Sequence, residues 1–180
     1  MSSSTPNLRT ENQELKTENP SKVFTAAVLT VSDSCAGGER TDISGPAVVE
    51  ALTRNNFSVV ATEVVPDDQL AIANAIVLLT DEVRLVVTTG GTGVALRDVT
   101  PEATRSVCDR VIEGVAERMR FEGLKKTPLA ALSRGLCCVR GKSIVLNVPG
   151  SPKGAVESLE AVIGLLPHAL QLLSGNTKHD

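Results

Sequence analysis

The run Thr88-Thr89-Gly90-Gly91-Thr92-Gly93, followed by Arg97-Asp98-Val99-Thr100-Pro101-Glu102, combines residue types that handle phosphate. Three glycines in four residues let the backbone take positive φ and let a ligand approach the amide N–H groups with no Cβ in the way. Successive N–H groups in such a loop form an anion-binding concavity. The hydroxyls of Thr89 and Thr92 add donors for phosphate oxygens. Thr100 is placed as a helix N-cap, Pro101 suits the first turn, and Glu102 complements the positive end of the helix dipole. The same glycines would also serve a tight turn with no ligand, so the loop alone leaves both readings open. The chain contains neither G-x-x-x-x-G-K followed by Ser or Thr nor G-x-G-x-x-G ahead of a helix, which removes the main support for P-loop and Rossmann readings.

Three further segments carry groups suited to phosphate or metal: Ser32-Asp33-Ser34, Pro66-Asp67-Asp68, and Asn147 with Pro149-Gly150-Ser151-Pro152. Asp67 and Asp98 matter most, because a carboxylate beside a phosphate loop can hold Mg²⁺. Each acid also has a local alternative: Asp67 as a helix cap, and Asp98 as a partner of Arg97 or a turn former. Ser133-Arg134 opens another loop, with Arg134 read either as a solvated charge or as an anion contact. Lys153 reads as exposed.

The elements that must position these groups are legible from periodicity and punctuation. Phe24 to Val31 reads as a first strand, with Ser32 to Gly38 as a loop after it. Ser44, Gly45 and Pro46 open a helix carrying Val48, Val49 and Leu52, and Asn55-Asn56 ends it. Phe57 to Val65 is a second strand stopped by Pro66, with Asp67 placed to cap a helix through Leu70, Ile72, Ile76 and Leu79. Leu85, Val86 and Val87 begin a third strand, apolar enough to be buried on both faces. A helical stretch with one or more breaks follows Thr100 to about Leu124, and Leu129 to Ser133 forms a further turn. Leu136 to Arg140 and Ser143 to Val148 pair as a hairpin around Gly141-Lys142. A helix then runs through Val156, Leu159, Val162 and Ile163, and a short one spans His168 to Leu173.

This alternation predicts an α/β fold, a three-layer α/β/α sandwich with a mostly parallel sheet and a late antiparallel hairpin. Ligands of such open sheets bind outside the carboxyl ends of the strands, so parallel strands would gather the four loops on one edge. The 180 residues suit one domain, expected over 23–175, between a polar N-terminal tail at 1–22 read as mobile and a short C-terminal tail at 176–180.

Composition excludes several function classes. A formal charge of −3 with no basic stripe argues against general nucleic-acid binding. The absence of Trp and Tyr removes the base-stacking platforms of single-strand binders. No apolar stretch reaches membrane-span length and the N-terminus has no apolar signal core, so a cytoplasmic protein is expected. Cys35, Cys108, Cys137 and Cys138 lack zinc spacing and are read as reduced, the last two as small buried residues. His168 and His179 stand away from the candidate loops.

Taken together these motifs resemble the MoaB/Mog family, whose fold is also seen in the gephyrin G domain. The resemblance covers Phe24 to Leu173 and rests on Leu29-Thr30-Val31-Ser32-Asp33, Val65-Pro66-Asp67, the Thr-Thr-Gly-Gly-Thr-Gly run, and Arg97 to Thr104. Leu132-Ser133-Arg134 and Asn147 to Pro152 complete it. It implies a nucleotidyltransferase that uses Mg²⁺ and ATP to adenylylate molybdopterin, releasing pyrophosphate. It implies Asp67 and Asp98 as the catalytic acids and Mg²⁺ ligands. Ser32, Asp33, Thr89, Gly90, Gly91, Thr92, Gly93, Ser133, Asn147, Pro149, Gly150 and Ser151 would bind nucleotide and pterin. Gly123 stands where some relatives carry serine. The resemblance further implies a homotrimer, or a hexamer, working with other proteins of molybdenum cofactor biosynthesis. Two other readings stand beside the adenylyltransferase: a non-catalytic molybdopterin-binding or scaffolding protein, and an unrelated nucleotide-dependent phosphotransferase.

Overall fold

The computed structural model describes residues 23–175, so the two expected tails and His179 lie outside the described residues. A six-stranded sheet forms from β1 (Phe24–Val31), β2 (Phe57–Val65), β3 (Leu85–Thr89), β4 (Arg110–Val111), β5 (Cys137–Arg140) and β6 (Ser143–Val148). The spatial order is β2-β1-β3-β6-β5-β4. β2, β1, β3 and β6 are mutually parallel, and β5 runs antiparallel to both β6 and β4. The expected hairpin is therefore present, with Gly141 at φ 56° in its turn. β4 interrupts the stretch expected as a broken helix.

Side-chain alternation along β1 divides the core in two. Ala26 and Val28 face one side with Val48 and Leu52 of α2 (Ser44–Arg54), Met119 of α5 (Glu113–Leu124), Leu159 of α6 (Pro152–Glu160) and Leu170 of α7 (Leu166–Leu173). Ala27, Leu29 and Val31 face the other side with Ile72, Ile76 and Leu79 of α3 (Gln69–Glu82) and Ala103 of α4 (Thr100–Val107). This is the three-layer sandwich. The central strand β3 is buried at every position, as its continuous apolar run requires.

Several local expectations are corrected. Ser32 to Gly38 is not all loop: Ser32 caps a one-turn helix, α1 (Asp33–Ala36), by accepting from the Cys35 N–H at 3.3 Å. The cap of α3 is Asp68, which accepts from the Ala71 N–H at 2.8 Å, and this frees Asp67. Thr100 is not an N-cap, because its hydroxyl donates to the Gly90 carbonyl at 2.9 Å. The helix through Val156 and Leu159 ends at Glu160, and Val162 and Ile163 follow in a separate turn. Cys108 and Cys138 are not reduced but joined as a disulfide with Cα atoms 6.1 Å apart, leaving only Cys35 and Cys137 as thiols. β1 and β2 shift register between Ala26 and Ala27: Val59 pairs with Ala26 and Ala61 with Ala27, so Val60 is an extra residue bulging from the edge strand.

Candidate active site

Because β2, β1, β3 and β6 are parallel neighbours, the segments after Val65, Val31, Thr89 and Val148 emerge side by side on one edge of the sheet. Gly90 lets three of these segments approach one another closely. A Cβ on Gly150 would sit 3.1 Å from the Gly90 Cα, and one on Gly90 would sit 2.2 Å from the Val31 carbonyl oxygen. Gly90 has φ 111° and Gly91 φ 60°, backbone that L side chains rarely adopt. Among the described residues, the N–H groups of Gly91, Thr92, Gly93 and Val94 donate to no protein acceptor. Four consecutive uncommitted donors in a glycine turn are the donor set from which anion nests are built.

The two acids flank this nest. A Cβ on Gly91 would lie 3.3 Å from Asp67 Oδ1, and one on Gly93 would lie 2.8 Å from Asp98 Oδ2. Asp67 and Asp33 bond reciprocally: the Asp33 N–H donates to Asp67 Oδ2 at 2.9 Å and the Asp67 N–H donates to Asp33 Oδ1 at 3.0 Å. Arg97 pairs with the Asp33 carboxylate rather than with Asp98. Asp98 Oδ2 accepts from the Ala95 N–H at 2.8 Å. Each acid thus keeps one oxygen, Oδ1, without a protein donor. That fits a metal held jointly with substrate oxygens, since Mg²⁺ is commonly bound through one or two carboxylates plus phosphates. Among the described residues no three His, Cys, Asp or Glu side chains converge on one point, so the protein alone offers no closed cage.

Two clefts meet at this ridge. The larger, about 450 Å³, runs from Gly91, Gly93 and Asp98 past Ser133, Gly150 and Ser151 to an apolar wall of Ala116, Met119, Leu129 and Leu132. The smaller, about 260 Å³, holds Ser32, Arg40, Asp42, Asp67, Gly90 and Asp98. Asp98, Gly91 and Gly150 line both.

Of the expected binding residues, Ser32, Gly90, Gly91, Thr92, Gly93, Ser133, Asn147, Pro149, Gly150 and Ser151 stand at one cleft or both. Thr89 and Asp33 line neither cleft, and the polar atoms of the Asn147 side chain are committed to protein partners. Thr89 is fully buried and donates to the Pro149 carbonyl at 2.8 Å, tying the β3 and β6 loops together instead of lining a cleft. Asp33 serves as the partner of Asp67. The Asn147 side chain is spent inside: its amide donates to the Thr88 and Thr104 hydroxyls at 2.9 Å each and its oxygen accepts from the Leu136 N–H at 3.4 Å. Ser151 caps α6 through Gly154 while remaining exposed.

Sequence reasoning missed the apolar wall and its cation. Ala116, Met119, Arg120 and Gly123 recur at helical spacing along one face of α5, a signal the sequence carries but that the broken helical stretch around it obscures. Arg120 donates to the Gly135 carbonyl at 3.2 Å. A Cβ on Gly123 would fall 2.8 Å from Ala130 Cβ, so the small residue lets α5 and the turn at Pro128–Leu132 close together.

The sequence matches the model of a probable molybdopterin binding domain over residues 27–168. The chain belongs to the MoaB/Mog family. It is 42% identical over 153 residues to the molybdopterin adenylyltransferase of Helicobacter pylori strain J99, covering 83% of this chain and 87% of that one. It is 38% identical over 165 residues to the molybdopterin adenylyltransferase of Escherichia coli K12, covering 82% and 84%. Among solved structures it resembles the molybdopterin biosynthesis enzyme MoaB of Thermus thermophilus, with a TM-score of 0.80 and 52% identity over 85% of this chain and 98% of that one. The MoaB/Mog sheet thus carries the glycine nest, both acids and both clefts on its carboxyl edge.

Proposed function

We propose that this chain is a molybdopterin adenylyltransferase of molybdenum cofactor biosynthesis. The observation that carries the reading is the run of uncommitted N–H groups from Gly91 to Val94, set between two acids, with Gly91 lining both clefts and Thr92 and Gly93 the larger one. Relatives at 38–42% identity bearing that name support it. Two clefts meeting at one anion nest suit a reaction that joins two phosphate-bearing substrates.

In the reaction, an oxygen of the terminal phosphate of molybdopterin attacks the α-phosphorus of ATP. The bond to the β-phosphate oxygen breaks, and pyrophosphate leaves with that electron pair. The nucleophile is already an anion, so no strong base is needed, which suits a site with no histidine among its lining residues. The Gly91–Val94 amides bind phosphate oxygens and stabilise charge as it shifts. Asp67 and Asp98 would hold Mg²⁺ through their free oxygens, and the ion when bound neutralises phosphate charge. Asp33 and Arg97 fix the Asp67 loop. Ser32, Ser133 and Ser151 supply hydroxyls at the cleft walls.

The same reading makes the chain a cytoplasmic homotrimer, with a hexamer as the alternative assembly, receiving the pterin from other cofactor-biosynthesis proteins. Among the described residues no single helix is long and apolar enough to cross a membrane. The test is to incubate the protein with molybdopterin, ATP and Mg²⁺ and measure pyrophosphate and the adenylylated pterin. Both products should appear in equal amounts. Pterin binding without either product would overturn the enzyme reading in favour of a binding or scaffolding role.

A further inference from the structure

Arg134 is bonded to both ends of the glycine loop's exposed continuation. Its N–H donates to the Thr92 carbonyl at 2.9 Å, and its Nε donates to the Gly93 carbonyl at 2.6 Å. Its two terminal nitrogens donate to the Asp98 carbonyl and the Glu102 carboxylate. One residue therefore grips both stems of the excursion 94–97, whose tip, Leu96, is fully exposed. The remaining ties of that excursion are Asp98 to Ala95 and Arg97 to Asp33.

The grip has a direction. In a planar trans peptide the C=O and the following N–H point opposite ways. Drawing the Thr92 and Gly93 carbonyls toward Arg134 turns the Gly93 and Val94 N–H groups away from it, and those are two of the four uncommitted donors of the nest. The same contacts keep two carbonyl dipoles, which would repel an anion, from facing it. A lysine at 134 could supply the charge, but it lacks the planar fork that spans three acceptors.

We infer that Arg134 is the positioning residue that orients the Gly93 and Val94 amides, and with them Asp98, for a phosphate group. The inference deepens the adenylyltransferase reading and rests on the glycine loop binding phosphate.

Two measurements test it on the full chain. First, inorganic pyrophosphate is titrated against ¹⁵N-labelled protein while the Gly93 and Val94 amide resonances are followed. Both should move in the wild type, whereas in Arg134→Ala and Arg134→Lys the Val94 shift should be lost at the same concentrations and the Gly93 shift, whose partner carbonyl is held by the residue-134 backbone N–H, should persist. Second, steady-state turnover with ATP, Mg²⁺ and molybdopterin should show kcat reduced about 100-fold in both variants, as for loss of an oriented oxyanion donor. KM for either substrate should stay within about threefold. Millimolar guanidinium should restore part of kcat to Arg134→Ala.

A Val94 shift unchanged in folded Arg134→Ala, or full kcat in Arg134→Lys, overturns the inference and leaves the adenylyltransferase reading standing. Wild-type shifts without any turnover do the reverse. Absence of shifts in the wild type removes both the nest and the role assigned to Arg134. A lower melting temperature with unchanged kcat per folded molecule shows a purely structural role and also overturns it.

Discussion

Replacing Gly91 with alanine adds one methyl group at a tightly constrained point of the site. At φ 60° an L residue costs about 1–2 kcal/mol. The new Cβ would also lie 2.4 Å from Thr100 Oγ1, inside any allowed contact. Thr100 is fully buried, and its hydroxyl must swing away from the Gly90 carbonyl to make room. Leaving that pair unmade inside the protein costs a further ~1–3 kcal/mol. The expected destabilisation is therefore about 2–5 kcal/mol, a drop in melting temperature of roughly 5–15 °C for a chain of this size. Urea unfolding of Gly91→Ala, Thr100→Ala and the double variant separates the two causes. Without the Thr100 hydroxyl only the backbone cost remains, so the cycle should show a coupling of about 1–3 kcal/mol, well above the ordinary non-additivity of distant sites. A coupling below about 0.5 kcal/mol would refute the clash, and a neutral single variant would refute the left-handed geometry as well.

Asp67→Asn and Asp98→Asn should each lower kcat by about 100-fold or more while leaving molybdopterin affinity within a few-fold. The amide oxygen can still accept from Asp33 or Ala95, so the melting temperature should barely move; full turnover in both would refute the assigned roles. Asn147→Leu should destabilise the protein by about 2–4 kcal/mol in urea unfolding, because the Thr88 and Thr104 hydroxyls would lose their shared donor in the core. Burial raises the Cys137 thiol from its ordinary 9.0 to about 12. Its stabilising contribution is complete below the unfolded-state value and is lost as pH rises through the folded one. Between pH 9 and 12 this group should therefore cost about 1.4 kcal/mol per pH unit, a slope absent from Cys137→Ala. Native protein should also react with a thiol reagent at Cys35 and not at Cys137.

Much of the fold was legible because its signals are local. β1 and β2 fall on the expected residues, since apolar runs bounded by Asn55-Asn56 and Pro66 leave little freedom at their ends. The gathering of four loops on one edge followed from parallel pairing alone. What escaped depends on contacts distant in sequence. β4 has two residues and no period to read. Thr100 carries a good capping signal, but the Gly90 carbonyl, ten residues earlier, takes its hydroxyl. Asp67 and Asp68 are adjacent acids, and only the register of β2 decides which caps α3 and which faces the nest. The partners of Arg134 are mostly backbone carbonyls, which every residue possesses and no sequence marks. Cys108 and Cys138 become neighbours through β4, the strand that could not be seen.

The bulge at Val60 gives chain length itself a role in the site. Side chains in a strand alternate, so one residue more or less exchanges everything that follows between the two faces. With Val60 extruded, Val65 pairs with Val31 and its carbonyl receives the Ser32 N–H at 2.9 Å, which delivers Asp67 opposite Asp33. Were Val60 instead paired with Ala27, every later residue of β2 would fall one position behind, with Val64 opposite Val31 in place of Val65. Pro66, with neither a carboxylate nor an N–H, would then stand where Asp67 exchanges bonds with Asp33, and Asp67 would move to the place of the α3 cap Asp68. The edge strand thus acts as a ruler whose unpaired residue sets which member of Pro66-Asp67-Asp68 reaches the glycine loop.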